Sequence, residues 1–326
     1  MNEHLSSGHY PPGQLLGAKL RVVGLLGEGG MGAVYEVEHV FTHHRRALKL
    51  LHGEMAGLPH VVTRFLREAS AAGRIGSPHI VETFDAGTLD SGQPYIVMEL
   101  LRGQSLAQAL ERNSPYPVEP ALAIVRQACE GLQAAHLAGI VHRDVKPDNL
   151  FLVEGETPFV KLLDFGISKF DPARTGSLAL TQEGSAMGTP FYMPPEQVRG
   201  ERDLDASADV YALGIVLYEC LTGRKPFTAE TLPHLCLLID RGEYQPPSQV
   251  RAGLPAAIDE LVARAMARDK KDRYPSARAF GEALDELRDP RWAGSIGIAN
   301  SGAVFGLSLI HISEPTRLRR ISYAVF

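Results

Sequence analysis

After a polar start, the chain runs through short segments in which apolar and polar residues alternate. Lys19–Leu26, Ala33–Val40 and Arg45–Leu51 are β-branched or alternating, and glycine or polar turns part them, as in an antiparallel meander. Arg64–Arg74 then carries apolar residues at helical spacing, and Ile80–Phe84 and Pro94–Leu100 return to strand patterning. Beyond Leu101 the period changes. Pro120–Ala138, Ala208–Leu221, Ala256–Arg268 and Ser276–Leu287 place apolar residues three and four apart, enough for a helical unit with its own core. The pattern predicts an α+β fold in two lobes, a small antiparallel β-sheet lobe over about 19–101 and a larger, mainly helical lobe over about 102–288. Residues 1–18 are expected to form a flexible flank and 289–306 a linker.

The last stretch, 307–326, is set apart by its wording. Leu-Ser-Leu-Ile-His-Ile-Ser-Glu-Pro-Thr-Arg resembles the translated end of a transposon-based sequencing adapter, and the closing Ile-Ser-Tyr-Ala-Val-Phe resembles its flow-cell end, with Leu318–Arg320 between them as an index. The tail is therefore expected not to be native, with the natural frame lost near Gly306, a real basic C-terminal peptide being the alternative.

Composition narrows the function. A 326-residue chain with 44% apolar residues can bury two packed lobes. Its 33 Lys and Arg against 38 Asp and Glu argue against a broad basic face for nucleic acid, so any phosphate must be met locally. Cys129, Cys220 and Cys236 have neither disulfide nor zinc spacing, and the start shows no secretory signal. A reducing, cytoplasmic setting follows, without membrane contact by this stretch of chain, although a natural full-length protein could be tethered.

Four strings carry chemistry. Gly27-Glu28-Gly29-Gly30-Met31-Gly32-Ala33-Val34 lies between two predicted strands, where Gly27, Gly29 and Gly32 let backbone amides approach a triphosphate. A strand after the glycines favours a hairpin flap over a dinucleotide site, and alone the string fits any flexible hairpin. Strand alternation puts Ala47 and Lys49 on one face, with Arg46, Leu48 and Leu50 on the other. Glu68 on the next helix can hold the Lys49 ammonium toward phosphates, although such a pair is by itself more often surface decoration. His142-Arg143-Asp144-Val145-Lys146-Pro147-Asp148-Asn149 is the strongest string. It combines a proton acceptor for a substrate hydroxyl, Asp144, a cation for transferring charge, Lys146, and an amide oxygen for Mg²⁺, Asn149. Asp164-Phe165-Gly166 ends the apolar Phe159–Leu163 strand and supplies a second hard oxygen for the metal.

In this order, from Lys19 to Leu287, the strings resemble the catalytic domain of eukaryotic-type protein kinases, in a bacterial branch. The resemblance implies a bilobal protein-kinase-like fold, ATP with Mg²⁺ or Mn²⁺ as cofactors, and protein substrates. It implies that Val34 and Ala47 cover the adenine, that Met98 stands behind it, and that Glu99–Leu101 form the hinge. It also implies that Glu196 pairs with Arg273 and that Asp209 braces the catalytic loop, a helix N-cap being the plainer role for Asp209.

Lys146 two residues after Asp144, and Gly188-Thr189-Pro190, resemble serine/threonine rather than tyrosine kinases. Autophosphorylation is expected between Asp164 and Glu196, where a phosphate could neutralise Arg143. Thr181 is the first candidate, then Ser185, Thr175 and Ser177, with a kinase-domain dimer as the route to trans-modification. Pro194 in place of the family's alanine, and Arg46 in place of an apolar residue, depart from the pattern without touching the phosphoryl chemistry. Two rival readings stand beside this one. A dead scaffold normally lacks one of Lys49, Asp144, Asn149 and Asp164, and a small-molecule phosphotransferase has no need of Pro195-Glu196.

Overall fold

A computed structural model of the chain describes residues 9–30, 32–155, 159–165, 190–201 and 203–288, with the side chains of Glu68, Ala71, Ala72 and Arg288 left aside. The first lobe is built on a six-stranded antiparallel sheet. Its strands are β1 (Leu15–Leu16), β2 (Leu20–Glu28), β3 (Gly32–His39), β4 (Arg45–Leu51), β5 (Thr83–Thr88) and β6 (Pro94–Met98), in the order β1-β2-β3-β4-β6-β5. One-turn helix α1 (Gly53–Ala56) and helix α2 (Pro59–Ala72) follow β4.

Alternation along β4 divides the lobe's apolar residues into two layers. Leu48 and Leu50 join Val22, Tyr35, Val37 and Val97 on one face, while Leu51 joins Phe65 and Ala69 of α2 and Ile96 on the other. The sheet begins earlier than the flank expectation allowed. Leu15 and Leu16 pair with Arg21 and Leu20, and the Tyr10 ring meets Tyr35 edge-on, its centroid 6.0 Å away, because an aromatic in the polar start can cover the sheet's open face.

The second lobe holds a three-stranded sheet, β7 (Gly103–Ser105), β8 (Leu150–Val153) and β9 (Phe159–Leu162). Its helices are α3 (Leu106–Arg112), α4 (Val118–Leu137), α5 (Pro195–Val198), α6 (Ala206–Thr222), α7 (Leu232–Arg241), α8 (Pro247–Val250), α9 (Ala256–Ala265) and α10 (Ala277–Arg288). Helix α6 departs from the one-faced periodicity expected of it. It is apolar all round, and α4, α8, α9 and α10 pack about it so that little of it meets water. The closest approach is at Gly214, where an added Cβ would lie 2.9 Å from both Ala265 and Met266 side chains.

The N-cap of α6 is Asp205, whose carboxylate accepts from the Ser207 N–H at 2.9 Å. Asp209 lies one turn further in, so its carboxylate is free of capping duty. The Ile80–Phe84 strand expectation is shifted: Ile80 makes only an isolated parallel bridge to Leu162, and the strand proper starts at Thr83. That bridge joins the lobes. The Leu162 N–H donates to His79 O at 2.8 Å and the Val81 N–H donates to Leu162 O at 3.0 Å.

Candidate active site

Between the lobes lies a cleft roofed by Leu26 of β2, Val34 of β3 and Ala47 of β4, with Phe151 of β8 below, Val81 and Met98 behind, and Glu99–Leu101 along one edge. The three roof residues stand on neighbouring strands: Ala47 pairs with Met98, and Gly27 pairs with Val34. Leu26, Val81, Phe151 and Leu163 had not been singled out. Phe151 stands two residues after Asn149, in the apolar run Leu150–Val153 that forms β8. The edge segment is clamped: Glu99 Oε1 accepts from the Glu82 N–H at 2.8 Å and from Lys161 Nζ at 2.5 Å.

Gly27 stands one rung before the end of the β2–β3 ladder, which Glu28 and Ala33 close, and Gly29 and Gly32 exchange backbone hydrogen bonds of 2.9 and 3.3 Å at the hairpin tip. Gly32 is required by close approach. A Cβ there would stand 2.0 Å from the Leu50 carbonyl oxygen, a backbone atom that cannot swing away. Gly32→Ala is expected to pull β3 from β4 and cost about 1–3 kcal/mol of stability. Chemical denaturation measures it, and an unchanged midpoint would show that the strands slide freely.

Lys49 Nζ lies 2.7 Å from Asp164 Oδ1 across the cleft. Glu68 falls on α2, and its side chain lies outside the described residues. Burial pushes the Asp164 carboxyl up, but Lys49 outweighs it, helped by Lys146, and the carboxyl stays below its ordinary range.

The catalytic-loop candidates are held from beneath by Asp209. Its Oδ1 accepts from the Arg143 N–H and its Oδ2 from the His142 N–H, both at 2.8 Å, while His136 Nε2 lies 2.7 Å from Oδ2. His142 in turn donates from Nε2 to Leu163 O at 2.9 Å and meets the Phe165 ring at a tilt of 37°, with 4.6 Å between centroids. Because that carbonyl can only accept, the proton belongs on Nε2, and Nδ1 is left to accept from the Asp144 N–H at 3.3 Å.

Two residues with side chains sit in the left-handed region here, Arg143 (φ 64°) and Asp164 (φ 42°). Such strain costs about 1–3 kcal/mol per residue and persists only where surrounding contacts over-determine it. Arg143 Nε is buried with no hydrogen-bond partner among the described residues.

Asp144, Asn149 and Asp164 come together. Asn149 Nδ2 donates to Asp144 O at 2.7 Å and to its Oδ2 at 2.9 Å, and Lys146 Nζ lies 3.6 Å from the same Oδ2. The Leu163 N–H donates to Asn149 O at 2.9 Å, which sets Asp164 beside Asn149. With its NH₂ group turned to Asp144, Asn149 keeps its amide oxygen for a cation, and a carboxylate plus an amide oxygen is a hard donor set of the kind Mg²⁺ takes. Among the described residues no three His, Cys, Asp or Glu side chains form a group that could hold a metal ion.

Glu196 and Arg273 meet in a buried two-pronged pair, with both nitrogen–oxygen distances 2.7 Å. Gly166, Thr175, Ser177, Thr181, Ser185, Gly188 and Thr189 lie outside the described residues, as does 307–326.

Residues 20–283 match the protein kinase domain family. The chain is 44% identical over 266 residues to the serine/threonine-protein kinase Pkn1 of Myxococcus xanthus, a match covering 81% of this chain and 37% of the relative. It is 42% identical over 267 residues to the serine/threonine-protein kinase PknH of Mycobacterium tuberculosis, covering 82% of this chain and 41% of the relative. The chain thus spans less than half the length of these curated relatives. A crystal structure of the Mycobacterium tuberculosis PknI kinase domain superposes with a TM-score of 0.66 at 32% identity, covering 85% of this chain and 99% of that one.

Proposed function

The chain belongs to the protein kinase domain family, and on that premise we propose that it transfers the γ-phosphoryl group of ATP to serine and threonine hydroxyls of other proteins. The observation that carries this reading is the convergence of Asp144, Asn149 and Asp164 at the mouth of an apolar cleft edged by a clamped backbone segment. Adenine enters that cleft between Val34 and Ala47 above and Phe151 below, and the backbone of Glu99–Leu101 reads its polar edge. Lys49 holds the α- and β-phosphates, with Gly27, Gly29 and Gly32 folding over them.

Asn149 and Asp164 would hold Mg²⁺ or Mn²⁺, which when bound would neutralise charge on the phosphates. Asp144 accepts the hydrogen bond of the attacking hydroxyl, orients its oxygen toward the γ-phosphorus and takes its proton. Lys146 stands where the transferring phosphoryl group gathers charge. Serine/threonine rather than tyrosine substrates are supported by Lys146 two residues after Asp144 and by what the relatives are called. We place the activity in a reducing cytoplasm, on the spacing of Cys129, Cys220 and Cys236. Among the described residues no helix is long and apolar enough to cross a membrane.

The test is transfer of label from γ-labelled ATP, with Mg²⁺ or Mn²⁺, to a peptide library. Label on serine and threonine but not tyrosine is expected, and no transfer with either ion would remove the reading. The same incubation, read by mass spectrometry, is expected to place phosphate on Thr181 first, with Ser185, Thr175 and Ser177 as further acceptors reached from a second copy of the domain. An active preparation unmodified between Asp164 and Glu196 would count against self-modification.

A further inference from the structure

We propose that His52 is a positioning residue for the phosphate flap, tying the flap tip to the strand that carries Lys49. The proposal rests on the reading of the cleft as a nucleotide site. His52 is the first residue after β4, and its Nε2 lies 3.0 Å from the carbonyl oxygen of Gly29. A carbonyl only accepts, so Nε2 carries the proton and donates it.

Gly29 belongs to the hairpin tip, where it exchanges hydrogen bonds with Gly32, and Gly32 stands opposite Leu51 in the β3–β4 ladder. The imidazole therefore reaches from the end of β4 across β3 to β2, beyond the last rung of the ladder. Glu28, the charged residue of the flap, is gathered into the same contact. Its Oε1 lies 3.6 Å from His52 Nε2, and its Oε2 lies 3.4 Å from His9 Nε2 of the N-terminal segment.

The consequence is geometric. Lys49 lies on β4, three residues before His52, so the hydrogen bond to Gly29 sets the height of the flap above the place where Lys49 meets phosphates. The adenine roof of Leu26, Val34 and Ala47 lies further back, where strand pairing holds it without His52. Loss of His52 should loosen the grip on phosphates and leave the grip on the base.

Calorimetric binding of a non-hydrolysable ATP analogue and of adenosine, both with Mg²⁺, separates the two. In His52→Ala the analogue is expected to bind about tenfold more weakly while adenosine stays within about twofold. In turnover, the KM for ATP is expected to rise with kcat little changed. His52→Gln, whose side-chain amide can donate to the same carbonyl, is expected to recover most of the loss. Equal weakening of both ligands, or of neither, would overturn the role of His52 alone. Wild-type protein that binds neither ligand would overturn the reading of the cleft and the proposal with it.

Discussion

Asp164→Asn is expected to lower phosphoryl transfer by roughly 10³-fold or more, equivalent to about 4 kcal/mol of transition-state stabilisation, with the fold intact. The carboxylate stands two residues beyond β9 in a left-handed backbone conformation, 2.7 Å from Lys49, and is kept anionic by that ammonium against the cost of burial. The amide has the same shape and can still accept from Lys49, but it brings no negative charge to a metal–phosphate complex. Label transfer from ATP within tenfold of wild type would exclude Asp164 from the reaction.

The substitution should also change the acid limb of stability. A carboxyl whose folded pKa lies below its ordinary value of 3.8 contributes stability above that value and loses it as pH falls through the folded pKa. The variant lacks that contribution, so denaturation midpoints of the two proteins should draw together as pH is lowered.

The residues of that site were legible because each group of them is a short contiguous string, in which the side-chain types themselves announce the chemistry. Strand and helix cores were legible through periodicity, with ends moved by a few residues: Arg64–Arg74 became Pro59–Ala72, and Pro94–Leu100 became Pro94–Met98. Contacts between distant segments were not. Nothing near Ile80 announces that it will lie beside Leu162, nothing near His52 points to Gly29, and Lys161 reads as an exposed strand residue until Glu99 is placed against it. Asp209 illustrates the same limit. The sequence offers it as a helix cap, and only the folded chain gives that duty to Asp205 and assigns Asp209 to His142 and Arg143.

Arg273→Met is expected to destabilise the protein by about 3–5 kcal/mol, because it leaves Glu196 as an uncompensated buried charge. The Arg273 side chain is 0% exposed and that of Glu196 4%, and the guanidinium has further acceptors in Ala267 O at 2.8 Å and Ser207 O at 3.1 Å. It also lies over the Tyr211 ring, 4.7 Å from its centroid. The pair fixes α5 against the core of the lobe that carries the catalytic loop, so activity is expected to fall along with stability.

Denaturant unfolding checks the first part, and a loss below about 1 kcal/mol would mean the pair is no anchor. Lys270→Ala is the control. Its partner Asp205 is 2.9 Å away, but both side chains are more than a third exposed, so its loss should cost at most about 1 kcal/mol.

The backbone hydrogen bonds that join His79 and Val81 to Leu162, together with the Lys161 ammonium on Glu99, run along the rear of the cleft like the spine of a book. Opening of the covers must turn about that spine, so displacement grows with distance from it. The adenine pocket, bound near the axis, changes little in width, whereas the hairpin at the fore-edge swings farthest. Nucleotide should therefore leave triphosphate-end first, with the base released last.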